Sequence, residues 1–379
     1  MKLSMSNARL IEALGAVKPA AARPDTIPVL QCVLICANVS GEVTLTATDL
    51  AMRAQITVEA DVGQSGIAAV PAAPLLDIAR TQGKEALVTI DLPEGQTVAR
   101  ITIGTFRSRL NCLDAADFPA PLKATGAEVR FSCALSDLQT IFEATRFAVS
   151  ADETRYYLAG CLLHVVSDGD SRHVRSVATD GHRLAWCQFP APQGLADNEI
   201  SAILPSRFVT ELMRLKGDSE QQVEVTLWDN GITVHVGDLH VASTLISANY
   251  PEYARVIPQN NANRATIPSG PLARVVQSVA VVGMGRSRPV KVHFDKDSVK
   301  VEAEDETCGS AIDEIGKGAG YALKGGTLSV GFQARYLRDI LDHVGESAIF
   351  AFAQDSGAPV LITSQGDASR GFVLMPMRI

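Results

Sequence analysis

Four consecutive residues, Asp180-Gly181-His182-Arg183, set a carboxylate, an imidazole and a guanidinium side by side, and His235 with His240 adds a second imidazole pair. Asp180 with His182, or the two histidines, could ligate a metal. Neither set brings a third and fourth ligand at a recognisable spacing, so no metal site is expected. Gly283-Met284-Gly285 lacks the rest of a dinucleotide fingerprint and reads as a helix-ending turn. Gly316-Lys317-Gly318-Ala319-Gly320 sets a lysine among glycines, yet no Ser or Thr follows where a phosphate loop needs one, and it reads as a flexible loop. The seven cysteines (Cys32, Cys36, Cys112, Cys133, Cys161, Cys187, Cys308) are scattered, odd in number and without a Cys-x-x-Cys pair. They are expected to be buried free thiols in a reducing cytoplasm. No set of acids, bases or ligands converges, so neither catalysis nor a cofactor is expected.

What the first motif does have is a period. Ala178-Thr179-Asp180 is preceded 131 residues earlier by Ala47-Thr48-Asp49, which ends the alternating stretch Val43-Thr44-Leu45-Thr46. Asp117-Phe118-Pro119 recurs 132 residues on as Asn249-Tyr250-Pro251, and Met375-Pro376 follows Tyr250-Pro251 by 125 more. Val301-Glu302-Ala303-Glu304-Asp305 supplies a third strand ending in acids. Apolar residues at helical spacing keep the same step: Leu10, Leu14 and Val17, then Leu138, Ile141 and Phe142, then Leu272, Val275, Val276 and Val279. Ser6 and Ser136 stand where N-caps belong. A second helix per unit is expected to begin near Pro71, Pro205 and Gln333, the last carrying the stripe Leu337, Ile340, Leu341 and Val344. Val223–Leu227 and Ile232–Val236 alternate on either side of Asp229-Asn230-Gly231, a hairpin signal. Three copies of one α+β unit, each with two helices packed on antiparallel sheets, are the economical reading. Boundaries follow at 1–122, 128–258 and 264–379, with linkers at Ala120 to Ala127 and at Gln259-Asn260-Asn261-Ala262-Asn263-Arg264.

With 379 residues, 46% hydrophobic and 20% charged, the chain has material for about three domain cores. It has neither an apolar run of the roughly 20 residues that a membrane span needs nor, in Met1-Lys2-Leu3-Ser4-Met5, a signal-peptide core. A net charge of −8 argues against a nucleic-acid partner. Its distribution argues the other way: Arg9, Lys18, Arg23, Arg80, Lys84, Arg146, Arg155, Arg207, Arg214, Lys216, Arg274, Arg335 and Arg338 mark helical segments, while acids gather in strands and loops such as Glu302-Ala303-Glu304-Asp305-Glu306. A surface lined by the helices would be basic, with an acidic outside.

Seven stretches resemble the bacterial sliding-clamp family, the β subunit of the replicative DNA polymerase III. They are Arg23 to Leu30 (RPDTIPVL), Ala115 to Pro119 (AADFP), Arg155 to Gly160 (RYYLAG), Ala178 to Ala185 (ATDGHRLA), Tyr250 to Pro258 (YPEYARVIP), Ala334 to Leu337 (ARYL) and Val373 to Ile379 (VLMPMRI), in family order over essentially the whole chain. The resemblance implies a head-to-tail homodimer in which two chains close a six-domain ring around duplex DNA. Helices line the hole, no catalytic group is required, and phosphates are contacted without reading sequence. It implies cytoplasmic partners: double-stranded DNA, the clamp loader, the polymerase III α subunit and other proteins bearing clamp-binding motifs. An accessory paralogous clamp serving repair or translesion polymerases is the alternative.

By the same resemblance, Leu158, Thr179, Gly181, His182, Arg183, Leu184, Pro251, Arg255, Val256, Val373, Leu374, Met375, Pro376, Met377 and Arg378 form a cleft for short peptides. Gly181 would allow the tight turn, His182 and Arg183 would supply donors at the rim, and paired methionines would suit several side chains. Arg23, Arg155, Tyr156 and Arg207 would face DNA; Leu110, Cys112, Val281 and Val282 would meet the second chain. Two departures are visible: Pro71-Ala72-Ala73-Pro74 lacks the basic residue often found at the start of that inner helix, and Ala248 stands in place of a common glycine.

Overall fold

A computed structural model of the chain describes residues 1–22, 27–169, 171–193, 195, 200–218, 220–259, 261–283 and 288–378. Six α-helices among them fall in three pairs: α1 (Asn7–Val17) and α2 (Ala72–Thr81), α3 (Leu135–Glu143) and α4 (Ser206–Leu212), α5 (Ser269–Val279) and α6 (Ala334–Leu341). Every apolar position of the expected stripes is buried, from Leu10, Leu14 and Val17 to Leu337, Ile340, Leu341 and Val344. Each such side chain contributes roughly 1.5–3 kcal/mol.

The repetition reaches the hydrogen bonds. The first amide of α1 donates to Ala86 O, that of α3 to Gln221 O and that of α5 to Glu346 O, at 2.9, 2.8 and 2.9 Å. Each acceptor stands just before a strand, so all three long helices are pinned at the same place. Ser6 caps α1 by accepting from Arg9 N. Ser136 is not a cap, because the strand Val129–Ala134 runs straight into α3 and Ser136 is already its second residue.

The chain forms two compact units, Met1–Ser136 with Thr210–Leu245, and Asp137–Val209 with Ile246–Ile379. The first holds a five-stranded and an eight-stranded sheet, the second a nine-stranded and a four-stranded sheet, all with antiparallel pairing. The division cuts through the second repeat because sheets continue from repeat to repeat. In the first unit Met52–Glu59 pairs with Leu239–Thr244 (Met52 opposite Ser243). In the second unit Arg183–Pro190 pairs with Asp367–Leu374 (Arg183 opposite Leu374). A shift of 131 residues carries both members of the first pair onto the second. Phe106–Asn111 in the first unit and Gly309–Gly316 in the second are among the strands that end their sheets.

Three local expectations change. The hairpin at Asp229-Asn230 has Gly231 as the first residue of its returning strand, opposite Trp228. A Cβ at Gly231 would lie 2.7 Å from the Trp228 ring, so close approach selects the glycine. Lys317–Ala319 is a 3-10 turn closed by Gly320 at φ +93° and by a 2.6 Å Lys317–Asp297 ion pair, rather than a loose loop. Asn263 and Arg264, expected in a linker, already belong to the strand Asn263–Pro268.

Candidate peptide-binding cleft

The strands Ser171–Thr179 and Arg183–Pro190 are joined by a turn whose bonds come from two side chains. Asp180 Oδ1 accepts from the amides of His182 (2.9 Å) and Arg183 (3.0 Å). The Thr179 hydroxyl donates to Arg183 O (2.7 Å) and accepts from Gly181 N (3.1 Å). Gly181 sits at φ +87°. The first repeat builds the same turn: Thr48 Oγ1 donates to Met52 O, Leu50 N donates to Thr48 Oγ1, and Asp49 Oδ1 accepts from Met52 N. There Leu50 occupies the left-handed position at φ +79°. Asp305 Oδ1 likewise accepts from Thr307 N and Cys308 N. The Thr-Asp pair that recurs is therefore turn architecture, and what sets the second copy apart is Gly181-His182-Arg183.

Arg183 does not supply a donor at a rim. Its side chain is 5% exposed. Nε bonds Asp180 Oδ2 (3.1 Å), Nη1 bonds Asp339 Oδ2 (2.5 Å) and Nη2 bonds Phe147 O (2.6 Å). The guanidinium also faces the rings of Tyr336 (4.3 Å) and Phe147 (5.1 Å). A rigid fork between two carboxylates and two aromatic faces is a structural staple. His182 remains the exposed donor, its ring stacked on Tyr336 at 6.1 Å between centroids.

The wall beside this turn is apolar. Leu184 and Val373 are register partners and pack with Leu162, Val177, Ile203 and Tyr253. Trp186, Ile246, Tyr250 and Ile257 are half-buried against them. Leu374 is fully buried, and Leu158 closes the 3-10 turn Glu153–Leu158, which Arg155 ties to Asp180 O at 3.0 Å. The tail is fixed from both sides: Met375 N donates to His182 O (2.9 Å) and Met377 N to Gly331 O (2.8 Å). Met375 and Arg378 are exposed, and Pro376 and Met377 half-buried. Pro251, Arg255 and Val256 lie exposed on the segment anchored by Tyr253, with Arg255 paired to Glu252 at 2.5 Å. Gly181, His182, Val256 and Met375 thus present accessible surface around a buried apolar base.

The other expected positions are less uniform. Arg155 gives Nε to Asp152 (2.9 Å) as well as Nη1 to Asp180 O, so part of its guanidinium is already used. Tyr156 is 58% exposed and edge-on to Tyr157, and Arg207 is exposed in α4. Arg23 lies outside the described residues, as do Met284 and Gly285 of the glycine stretch. Leu110 is half-buried on the edge strand, Val282 half-buried and Val281 72% exposed. Cys112 is already buried against its own sheet, bonding Thr97 O through its amide. Five of the free thiols are buried and Cys36 is half-buried, but Cys308 is exposed. His235 and His240 stack face to face across two strands at 3.9 Å. Among the described residues no helix is long and apolar enough to cross a membrane.

Residues missed from sequence are those that reach across the fold. Asp339 reads as an ordinary helix-surface partner of Arg335 four residues earlier, a spacing that hides its shorter bond to Arg183. Phe147, His164 and Arg175 carry no motif at all. Tyr253 stood inside one, but its hydroxyl bonds could not be read from spacing.

Three domain families match the chain in order: DNA polymerase III beta subunit, N-terminal domain over residues 1–122, central domain over 134–252 and C-terminal domain over 254–378. The beta sliding clamp of Caulobacter vibrioides is 32% identical over 380 residues, and that of Escherichia coli K12 30% over 384, each covering all of both chains. A crystal structure of the Bartonella birtlesii sliding clamp bound to griselimycin superposes with a TM-score of 0.92 at 31% identity, again over all of both chains. The chain belongs to the DNA polymerase III beta subunit family, the beta sliding clamps.

Proposed function

We infer that this protein is a DNA sliding clamp: a non-catalytic processivity factor that closes as a head-to-tail homodimer around duplex DNA and works in the cytoplasm. The observation that carries this reading is the pair of matching sheet seams. In repeats one and two the strand after the Thr-Asp turn pairs with a strand of the next repeat. The corresponding strand of repeat three, Gly309–Gly316, is an edge. In repeats two and three the receiving strands are Leu239–Thr244 and Asp367–Leu374; their counterpart in repeat one, Phe106–Asn111, is also an edge. The correspondence extends to the turns before them, with Gly104 at φ +59° and Gly237 at φ +57°. Each chain therefore offers one unfilled edge of each kind, and two chains fill both. Leu110 lies on one of these edges, while Val281 and Val282 supply an apolar patch of repeat three. Domain boundaries at 1–122, 128–258 and 264–379 fit this scheme.

A closed ring holds DNA by topology, so weak phosphate contacts suffice and the ring can slide. Arg23, Arg155, Tyr156 and Arg207 are assigned to the DNA side. A groove of about 710 Å³ beside α1 gathers Arg80, Lys84, Arg214 and Lys216 together with Glu12, Glu211 and Asp238, an excess of one positive charge. The polymerase α subunit, the clamp loader and other partners are assigned to the cleft around His182, Val256 and Met375. The relatives are named beta sliding clamps and the matching domain families are those of the DNA polymerase III beta subunit, which favours this reading over an accessory paralogous clamp.

Deleting Met375–Ile379 tests the cleft. The change removes two hydrogen bonds, worth about 1 kcal/mol each, together with the exposed Met375, but leaves both edge strands intact. A motif peptide carrying a glutamine and one or two large apolar residues is expected to lose at least tenfold in affinity by calorimetry, while sedimentation still reports a dimer. Unchanged affinity would remove these residues from the site.

A further inference from the structure

The cleft segment from Pro251 to Val256 has an unusual foothold. Pro251, Glu252, Ala254, Arg255 and Val256 are all exposed, and only Tyr253 is buried. Among the described residues, every backbone hydrogen bond donated within 251–257 stays inside the segment: Tyr253 N to Pro251 O, Arg255 N to Glu252 O and Ile257 N to Ala254 O. The segment is thus attached to the sheet through side chains, with Tyr250 and Ile257 half-buried at its ends and Tyr253 between them.

Beneath Tyr253, three adjacent strands present His164, Arg175 and Gln188 in one cross-strand row. Gln188 Oε1 accepts from Arg175 Nε (2.8 Å) and Nη2 (2.5 Å), which fixes the guanidinium. Arg175 Nη1 donates to the Tyr253 oxygen (3.3 Å), and that oxygen lies 3.0 Å from His164 Nε2, with the two rings edge to face. Arginine can only donate, so the tyrosine oxygen accepts there; its single proton is left for His164 Nε2, which accepts it when the imidazole carries its own proton on Nδ1. That requires a neutral imidazole. Burial, and then the charge of Arg175, push the His164 pKa down to about 4, so the ring is neutral at physiological pH.

We propose that Arg175, Tyr253 and His164 are positioning residues of the peptide cleft: their directed chain of hydrogen bonds sets where the Pro251–Val256 wall stands, without any of the three touching the peptide. The inference rests on the peptide-binding reading of the cleft. Tyr253→Phe keeps the ring in the core beside Leu184 and Val373 and deletes only the hydroxyl. Peptide affinity is expected to fall roughly 3- to 10-fold, the effect of losing about one hydrogen bond. His164→Leu should do the same, His164→Gln should retain near wild-type affinity because its side-chain amide can still accept, and His164→Leu should add little to Tyr253→Phe. In a Trp228→Phe background, Trp186, which packs on the same cluster, should change its emission in Tyr253→Phe and His164→Leu but not in His164→Gln.

The wild-type protein separates the two levels. If it binds no motif peptide, the cleft reading fails and this proposal with it. If it binds and Tyr253→Phe binds equally well, only the positioning role is overturned. Equal weakening by His164→Gln and His164→Leu would also overturn it, since packing alone would then explain both.

Discussion

Arg183→Ala is expected to cost about 3–5 kcal/mol of folding stability, the range for breaking a buried ion pair from one side. The substitution removes the cation shared by Asp180 and Asp339, whose side chains are 12% and 28% exposed, leaving Asp180 only the two backbone amides on Oδ1, and deletes the donor to Phe147 O. Among the described residues, Asp339 keeps a long contact to Arg335 at 3.9 Å. Arg183→Lys should recover little, because an ammonium cannot span three acceptors and lie between two rings. Arg255 is the internal comparison: its pair with Glu252 has side chains 80% and 70% exposed, so Arg255→Ala should leave stability nearly unchanged. Urea unfolding of the three variants reads both effects. A loss below about 1 kcal/mol for Arg183→Ala would mean that the staple is not what holds the turn against α6.

The second large effect is covalent closure of the ring. Carrying the register of the two internal seams to the free edges sets Gly309 opposite Leu110 and Ala311 opposite Ser108. Ser108→Cys with Ala311→Cys, in a Cys308→Ser background to remove the exposed thiol beside the seam, should oxidise to a covalent dimer in high yield. Directly opposed residues bring Cα atoms within the roughly 4.4–6.8 Å that a disulfide needs. Arg107→Cys with Ala311→Cys is one residue out of step and places the thiols on opposite faces, so it should remain monomeric on a denaturing gel. Efficient cross-linking of the mismatched pair and not the matched one would refute the register. A ladder of open oligomers would refute closure.

Much of this was legible beforehand because the sequence repeats. The period of Thr-Asp turns and helical stripes located all six helices, and the second helices do start after Pro71, Pro205 and Gln333. The seven family stretches likewise stand in order along the sequence. What could not be read was where polar side chains spend their bonds. His182 and Arg183 look equivalent as donors, yet one is exposed and the other is consumed by a carboxylate 156 residues away. Ser136 looks like Ser6 but sits one residue inside its helix, since nothing in a serine records where the preceding strand stops. Leu50 shows the opposite limit: the period suggests glycine at a left-handed position, and the first repeat tolerates leucine there at φ +79°.

The central claim is topological, and one measurement addresses it. The matched Ser108→Cys, Ala311→Cys clamp is loaded on nicked circular DNA with clamp loader and ATP, then oxidised, and the DNA is purified by gel filtration in high salt. The protein should stay with the circle, resist salt that strips phosphate contacts, and be lost after a single restriction cut even though its seams are covalently shut. Clamp that remains on the linear product under the same salt, or that leaves the intact circle, would contradict a ring that holds DNA by enclosing it.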